Sequence, residues 1–104
     1  MSHKYGAKPT TVDNIRFASM AEARRYGQLK LLQKAGEISA LELQPKFPLV
    51  VAGVNVGTYI ADFRYRMGQH VITEDVKGVR TPIYRLKAKL VKALYNVVIA
   101  EVAA

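Results

Sequence analysis

The stretch Glu74-Asp75-Val76-Lys77-Gly78 combines residue types and a spacing that could do chemistry. It follows an alternating apolar run, Val71-Ile72-Thr73, and precedes Thr81-Pro82, which reads as a helix start. Side chains two apart on a strand share a face. Asp75 and Lys77 therefore stand side by side, a carboxylate next to an ammonium, with Glu74 on the other face unless a bulge swaps the two acids. A second acid reaching that face from a neighbouring strand would complete a set suited to a divalent metal and a phosphodiester.

The chain offers two such acids. Asp62 interrupts an apolar strand-like segment, Tyr59-Ile60-Ala61-Asp62-Phe63. An acid among apolar neighbours is costly to bury unless it is paired or metal-bound, and an ion pair with Arg64 or Arg66 is the structural alternative. Met67-Gly68-Gln69 turns the chain, so a strand from His70 to Lys77 would return antiparallel and bring Asp62 near Asp75. Two carboxylates held close repel, and a cation relieves this. Glu22 is the other candidate. It lies three residues after Ser19, the capping-box spacing, yet at about 100° per residue it shares a stripe with Tyr26, Leu29 and Gln33. Cap and site residue are both open to it. Arg24, Arg25 and Lys34 fall mainly on other faces.

Composition narrows the chemistry. The 104 residues fit a single domain (1–104), and residues 1–10 read as a basic arm with Lys4 and Lys8. Without cysteine there is no disulfide, thiolate nucleophile or Cys-based zinc site, and His3 and His70 alone cannot hold zinc. A metal would be held by carboxylate oxygens, which favours Mg²⁺ or Mn²⁺. No apolar run approaches the roughly 18–20 residues of a membrane span, and the N-terminus carries no apolar signal segment, so a cytoplasmic location with no membrane partner is expected. Sixteen basic against eight acidic residues, a formal charge of +8, suggest a polyanionic partner, most often nucleic acid.

The elements that must position these residues follow in order. Thr11-Val12, the turn Asp13-Asn14 and Ile15-Arg16-Phe17 predict a small hairpin. A first helix is expected from Ser19 to about Ala35, stopping at Gly36. Ile38 to Val51 reads as a strand interrupted by Pro45 and Pro48. Val54 to Arg66 reads as one long strand, with Tyr59, Ala61, Phe63 and Tyr65 on one face and Ile60, Asp62 and Arg64 on the other. A second helix from Pro82 to about Tyr95 is expected to bury Ile83, Leu86, Leu90 and Leu94. Its Arg85, Lys87, Lys89 and Lys92 suit a phosphate backbone, or form a solvated face. Val97 to Val102 is expected to be a final buried strand.

The order helix with Glu22, strand, strand with Asp62, strand ending Asp75-Val76-Lys77, helix and strand resembles the core of the PD-(D/E)XK nucleases. More narrowly, six blocks are similar to a family of small phage and prophage proteins long labelled only as a domain of unknown function and related to endonuclease-I-type (Holliday junction) resolvases. They are Lys4-Tyr5, Phe17-x-Ser19-x-x-Glu22-Ala23-x-x-Tyr26, Gly36-x-Ile38, Leu43-Gln44-Pro45-x-Phe47, Tyr59-x-Ala61-Asp62-Phe63 and Glu74-Asp75-Val76-Lys77-Gly78. The likeness runs over nearly the whole chain, with Asn14 where Gly is expected and a short, acid-free segment at Met67-Gly68-Gln69-His70.

The resemblance implies an α/β domain with a mixed β-sheet flanked by two main helices in a restriction-endonuclease-like α-β-β-β-α-β core, plus the N-terminal hairpin. It implies a Mg²⁺-dependent (Mn²⁺ possible) DNA endonuclease acting on branched or junction DNA. Asp62 and Asp75 would be metal ligands with the Val76 carbonyl, Lys77 the catalytic lysine and Glu22 an added acid. Gln44 is either a neighbour of the site that contacts DNA or a residue that fixes the bulged strand. The alternative is a non-catalytic basic nucleic-acid-binding module. A branched substrate needs two paired cuts and so fits a homodimer, with the first hairpin and the final strand as candidate surfaces.

Overall fold

A computed structural model describes residues 8–104; most of the expected basic arm, and the Lys4-Tyr5 block, lie outside the described residues. The order is β1 (Thr10–Val12), β2 (Ile15–Phe17), α1 (Met20–Lys34), β3 (Ser39–Leu43), β4 (Lys46–Val51), β5 (Val54–Ile60), β6 (Phe63–Met67), β7 (His70–Lys77), α2 (Pro82–Tyr95) and β8 (Ala100–Ala103). Four strands form a mixed sheet in the order β3-β6-β7-β8, in which β7 and β8 are parallel and joined through α2. The result is a small α/β domain with a mixed sheet and two helices.

Local chemistry accounts for the boundaries. Asp13 and Asn14 both adopt positive φ (52° and 61°), as the tight β1–β2 turn requires. Ser19 caps α1 by accepting from the Glu22 amide, and Thr81 caps α2 by accepting from the Tyr84 amide. Gly36 (φ 81°) and Asn96 (φ 56°) turn the chain out of the two helices.

The two long strands expected over 38–51 and 54–66 are each broken in two. Pro45 cannot donate to a ladder, and Gln44 beside it takes a left-handed φ of 52°. The partner break falls opposite, at Ala61-Asp62. The breaks are stitched together by Gln44 N–H to the Asp62 carbonyl at 2.9 Å and Ala61 N–H to the Pro45 carbonyl at 3.1 Å. Below them β3 and β6 join the main sheet. Above them β4 and β5 leave it as a separate two-stranded ribbon.

This division also splits the core. Phe63 and Tyr65 pack with Phe17, Ala23, Tyr26, Leu29 and Ile38 of the α1 side. Tyr59 and Ala61 pack with Phe47, Leu49, Tyr84 and Val91 of the α2 side. The expected single face from Tyr59 to Tyr65 is buried throughout but serves two cores.

Two further expectations are corrected. On α2, Ile83, Leu86 and Leu94 are exposed and Leu90 only half-buried; Tyr84 and Val91 are the buried positions. The helix is turned about one residue, roughly 100°, from the leucine stripe. Its aromatic residues decide the orientation, because their hydroxyls find partners there: Tyr84 on Glu101 at 2.8 Å and Tyr95 on the Pro48 carbonyl at 2.6 Å. The last strand is not buried either. It begins at Ala100 and runs along the sheet edge with only Val102 half-covered.

Candidate functional site

The register of β6 on β7 pairs Phe63 with Glu74, and the Asp62 amide donates to the Glu74 carbonyl at 3.1 Å. Asp62 therefore sits opposite Asp75, as the hairpin argument expects. Because Asp62 lies in the strand break, its side chain is free of the pleat and turns along the sheet end. Its Oδ2 accepts from the Val76 amide at 2.7 Å, and its carboxyl is near enough to that of Asp75 to feel its charge. No ion pair forms with Arg64, which instead makes a two-pronged contact with Glu42.

Asp75 is 4% exposed. Its Oδ2 accepts a short hydrogen bond from the Tyr59 hydroxyl and lies 3.4 Å from Lys77 Nζ. Lys77 Nζ also lies 4.2 Å from the centre of the Tyr84 ring, so the ammonium is gripped between a carboxylate and an aromatic face. Burial and the Asp75 hydrogen bond push the Tyr59 hydroxyl pKa upward, so Tyr59 remains a donor at ordinary pH. Burial first, then the neighbouring Asp75, push the Asp62 carboxyl up to about 9; the Glu22 charge adds to this and the Val76 amide opposes it.

Glu22 takes the cap role and also faces a cavity. Its Oε2 accepts from the Ala18 amide at 3.0 Å, which caps the helix entry. It also lines a cavity of about 320 Å³ together with Asp62, Gln44, Arg16 and Phe17. Gln44 is thus brought beside Asp62 both through its backbone and in this cavity.

Glu74 faces away, as alternation with Lys77 predicts, but it is not a bystander. It is 2% exposed and receives Arg25 Nε at 2.9 Å and Nη2 at 2.6 Å, with the Tyr65 hydroxyl on the same oxygen as Nη2. Arg25 is therefore turned inward, contrary to its expected place away from the buried stripe. Burial and Glu74 push the Tyr65 hydroxyl up to about 12. This three-residue contact ties α1 to the middle of the sheet.

The basic residues of α2 separate. Arg85, Lys89 and Lys92 are exposed, and Lys92 Nζ reaches Asn96 Oδ1 at 2.8 Å. Lys87 is half-buried and donates to the Thr58 carbonyl at 3.0 Å, tying the helix to β5.

Among the described residues no cluster of three or more His, Cys, Asp or Glu has the arrangement of a ready metal cage. Asp62 and Asp75 nevertheless fit a hard cation, since Mg²⁺ keeps most of its waters and takes only one or two carboxylates. The crowding of two acids, with Asp62 pushed toward its neutral form, is a strain that such an ion would relieve. Tyr59 and Tyr84 are the site residues that sequence reasoning misses. A tyrosine in an alternating strand reads as core, and only the pairing of separate elements places it on a carboxylate or under an ammonium.

The shift of Asp62 yields a stability prediction. A carboxyl raised from 3.8 to about 9 holds its proton more tightly in the folded state, so its contribution to stability falls as pH rises through that window. Asp62→Asn removes the penalty. Thermal melts without divalent metal are expected to place Asp62→Asn above wild type at pH 8 by on the order of 1 kcal/mol, about 4–8 °C. The difference should vanish near pH 4. An Asp62→Asn protein that melts lower at pH 8 would contradict this account.

Fold and site together define a small mixed-sheet α/β domain with two carboxyls and a lysine converging at the end of one strand pair. The chain belongs to the family described as "Protein of unknown function (DUF1064)", whose model matches residues 2–103. No curated protein and no solved structure matches it.

Proposed function

We propose that this protein is a Mg²⁺-dependent DNA endonuclease of the PD-(D/E)XK type, with Mn²⁺ as an alternative ion, acting on branched or junction DNA. The observation that carries the reading is the placement of Asp62 across from Asp75, with Lys77 Nζ 3.4 Å from Asp75 Oδ2, where β6 and β7 lie side by side. The strand order β3-β6-β7-β8 with α1 before it and α2 between its last two strands is compatible with a restriction-endonuclease-like core. The +8 charge and the exposed Arg85, Lys89 and Lys92 support a polyanionic substrate. No helix among the described residues is long and apolar enough to cross a membrane. A phage or prophage origin would place the protein in the cytoplasm of a bacterial host.

In this reading Asp62 and Asp75 would hold the ion, with Glu22 nearby, and the Val76 backbone is fixed beside them by the hydrogen bond its amide donates to Asp62. When bound, such an ion would supply an acidified water and a counter-charge for the scissile phosphate. Lys77 neutralises charge on the reacting phosphate. Its role is electrostatic: its ammonium lies 3.4 Å from the Asp75 carboxylate, beside the proposed ion. Tyr59 holds the Asp75 carboxylate in one orientation, and Tyr84 holds the Lys77 ammonium near it. Gln44, exposed at the strand break, and the basic face of α2 would bind DNA on the two sides of the site.

The test is cleavage of junction, flapped, duplex and single-stranded DNA with Mg²⁺ and with EDTA. The proposal expects metal-dependent products, most abundant on branched DNA. Salt-sensitive binding that is indifferent to metal and gives no product on any substrate would instead favour a non-catalytic basic binding module.

A further inference from the structure

The cavity of about 320 Å³ beside Asp62 is not accounted for by the ion. Ile15 and Phe17 of the first hairpin, Leu43 at the end of β3 and Phe63 of β6 line it with apolar surface. Its polar groups are Glu22, Gln44, Asp62 and Arg16. The Glu22 carboxylate is fixed in place by the Ala18 amide, 3.0 Å from Oε2. Gln44 is held there under constraint. Its φ of 52° is in the left-handed region, where glycine or asparagine is the easier residue, and its N–H is committed to the Asp62 carbonyl at 2.9 Å. A glutamine kept where glycine would turn more readily points to a use for its amide, since backbone strain of this kind gathers at ligand sites.

We propose that this cavity receives one unpaired nucleobase from the strand whose phosphate lies at Asp62. The proposal rests on the nuclease reading for the placement of that strand. Three features select a base over the other parts of a nucleic acid. Two acids in the lining, Glu22 and Asp62, disfavour a phosphate inside, whereas Arg16 is exposed and suits one outside. Aliphatic and aromatic walls match the flat apolar faces of a base, and the Gln44 amide and Glu22 carboxylate supply the donors and acceptors that its polar edge needs. The volume lies at the lower end of the roughly 300–1,000 Å³ of small-molecule pockets, enough for a single heterocycle and too small for a base pair. Position follows as well. The cavity and the proposed ion share Asp62, so the base that reaches it belongs to a nucleotide beside the scissile bond. Taking a base out of a duplex costs unstacking and unpairing, least where the base is already unpaired. A branch point supplies such a base, which gives this site a physical reason to prefer branched DNA.

The test uses 2-aminopurine, an adenine analogue whose emission rises when it leaves the base stack, placed in turn at each position around the branch of a junction. The full chain is added in EDTA, so that binding is read without cleavage. Wild type is expected to raise emission several-fold at one position beside the branch and not at its neighbours. Gln44→Gly, which the left-handed turn accommodates, should abolish the rise and weaken junction binding about tenfold, the scale of a two-pronged contact to a base edge. Ile15→Trp, which fills the cavity from a half-buried wall position, is the second variant and should abolish the rise too. Circular dichroism checks that each variant is folded. Junction binding by wild type with no rise at any position, or a rise that survives in both folded variants, would overturn the proposal; Mg²⁺-dependent cleavage of the same junction would then leave the nuclease reading standing. A local rise with no cleavage in Mg²⁺ would keep the base pocket and overturn the nuclease reading instead. Failure to bind DNA at all would overturn both.

Discussion

Asp75→Ala and Lys77→Ala are each expected to lower Mg²⁺-dependent DNA cleavage by at least about 10³-fold, the scale on which removal of one transition-state-stabilising group acts. The two side chains are held by buried tyrosines of the α2-side core: Tyr59 on the carboxylate, Tyr84 under the ammonium. Asp75→Ala also orphans the buried Tyr59 hydroxyl at a cost of about 1–3 kcal/mol. Asp75→Asn, which keeps an acceptor, is therefore the cleaner variant and should lose activity with little loss of stability. Lys77→Arg separates the possible roles of the lysine. Arginine keeps the charge but cannot give up its proton at neutral pH. An electrostatic role predicts partial activity in Lys77→Arg; a general-base role predicts none. Initial rates on one labelled junction substrate, with melting curves for each variant, decide the matter.

Arg25→Ala is expected to produce the largest loss of stability outside the core, about 3–5 kcal/mol in urea unfolding. Glu74 is nearly inaccessible, and its charge is balanced by one side chain, a guanidinium making two parallel contacts. Without it the carboxylate keeps only the Tyr65 hydroxyl. A loss of this size approaches the whole stability of a small domain. Arg25→Lys restores the charge but not the fork and should fall between the two. Replacing both partners by apolar residues of similar volume should recover much of the loss, because no uncompensated charge then remains buried. In Arg25→Lys, cleavage per folded molecule should be unchanged, which distinguishes Glu74 from Asp75 one position away.

How these residues divide their work was legible in part. Alternation separates Glu74 from Asp75 and aligns Asp75 with Lys77, and the turn at Met67-Gly68-Gln69 sets a register that brings Asp62 opposite Asp75. Caps at Ser19 and Thr81 fix both helix starts. The strand break was half visible: Pro45 marks one side, but nothing in Ala61-Asp62 marks the other, since its break is imposed by the partner strand. The orientation of α2 was not legible, because that helix carries two apolar stripes about 100° apart. Tertiary contacts of Tyr84 and Tyr95 choose between them. Arg25 escaped for a related reason. A wheel places its Cα beside the buried stripe, and its long side chain reaches back to a carboxylate 49 positions away in sequence.

On the proposed reading, Asp62 and Asp75 share one divalent cation. Calorimetric titration with Mn²⁺ in the absence of DNA tests it directly. Wild type is expected to bind the ion, and both Asp62→Asn and Asp75→Asn are expected to lose that binding while Glu74→Gln retains it. Absence of binding in wild type, or binding that survives both asparagine substitutions, would contradict the claim.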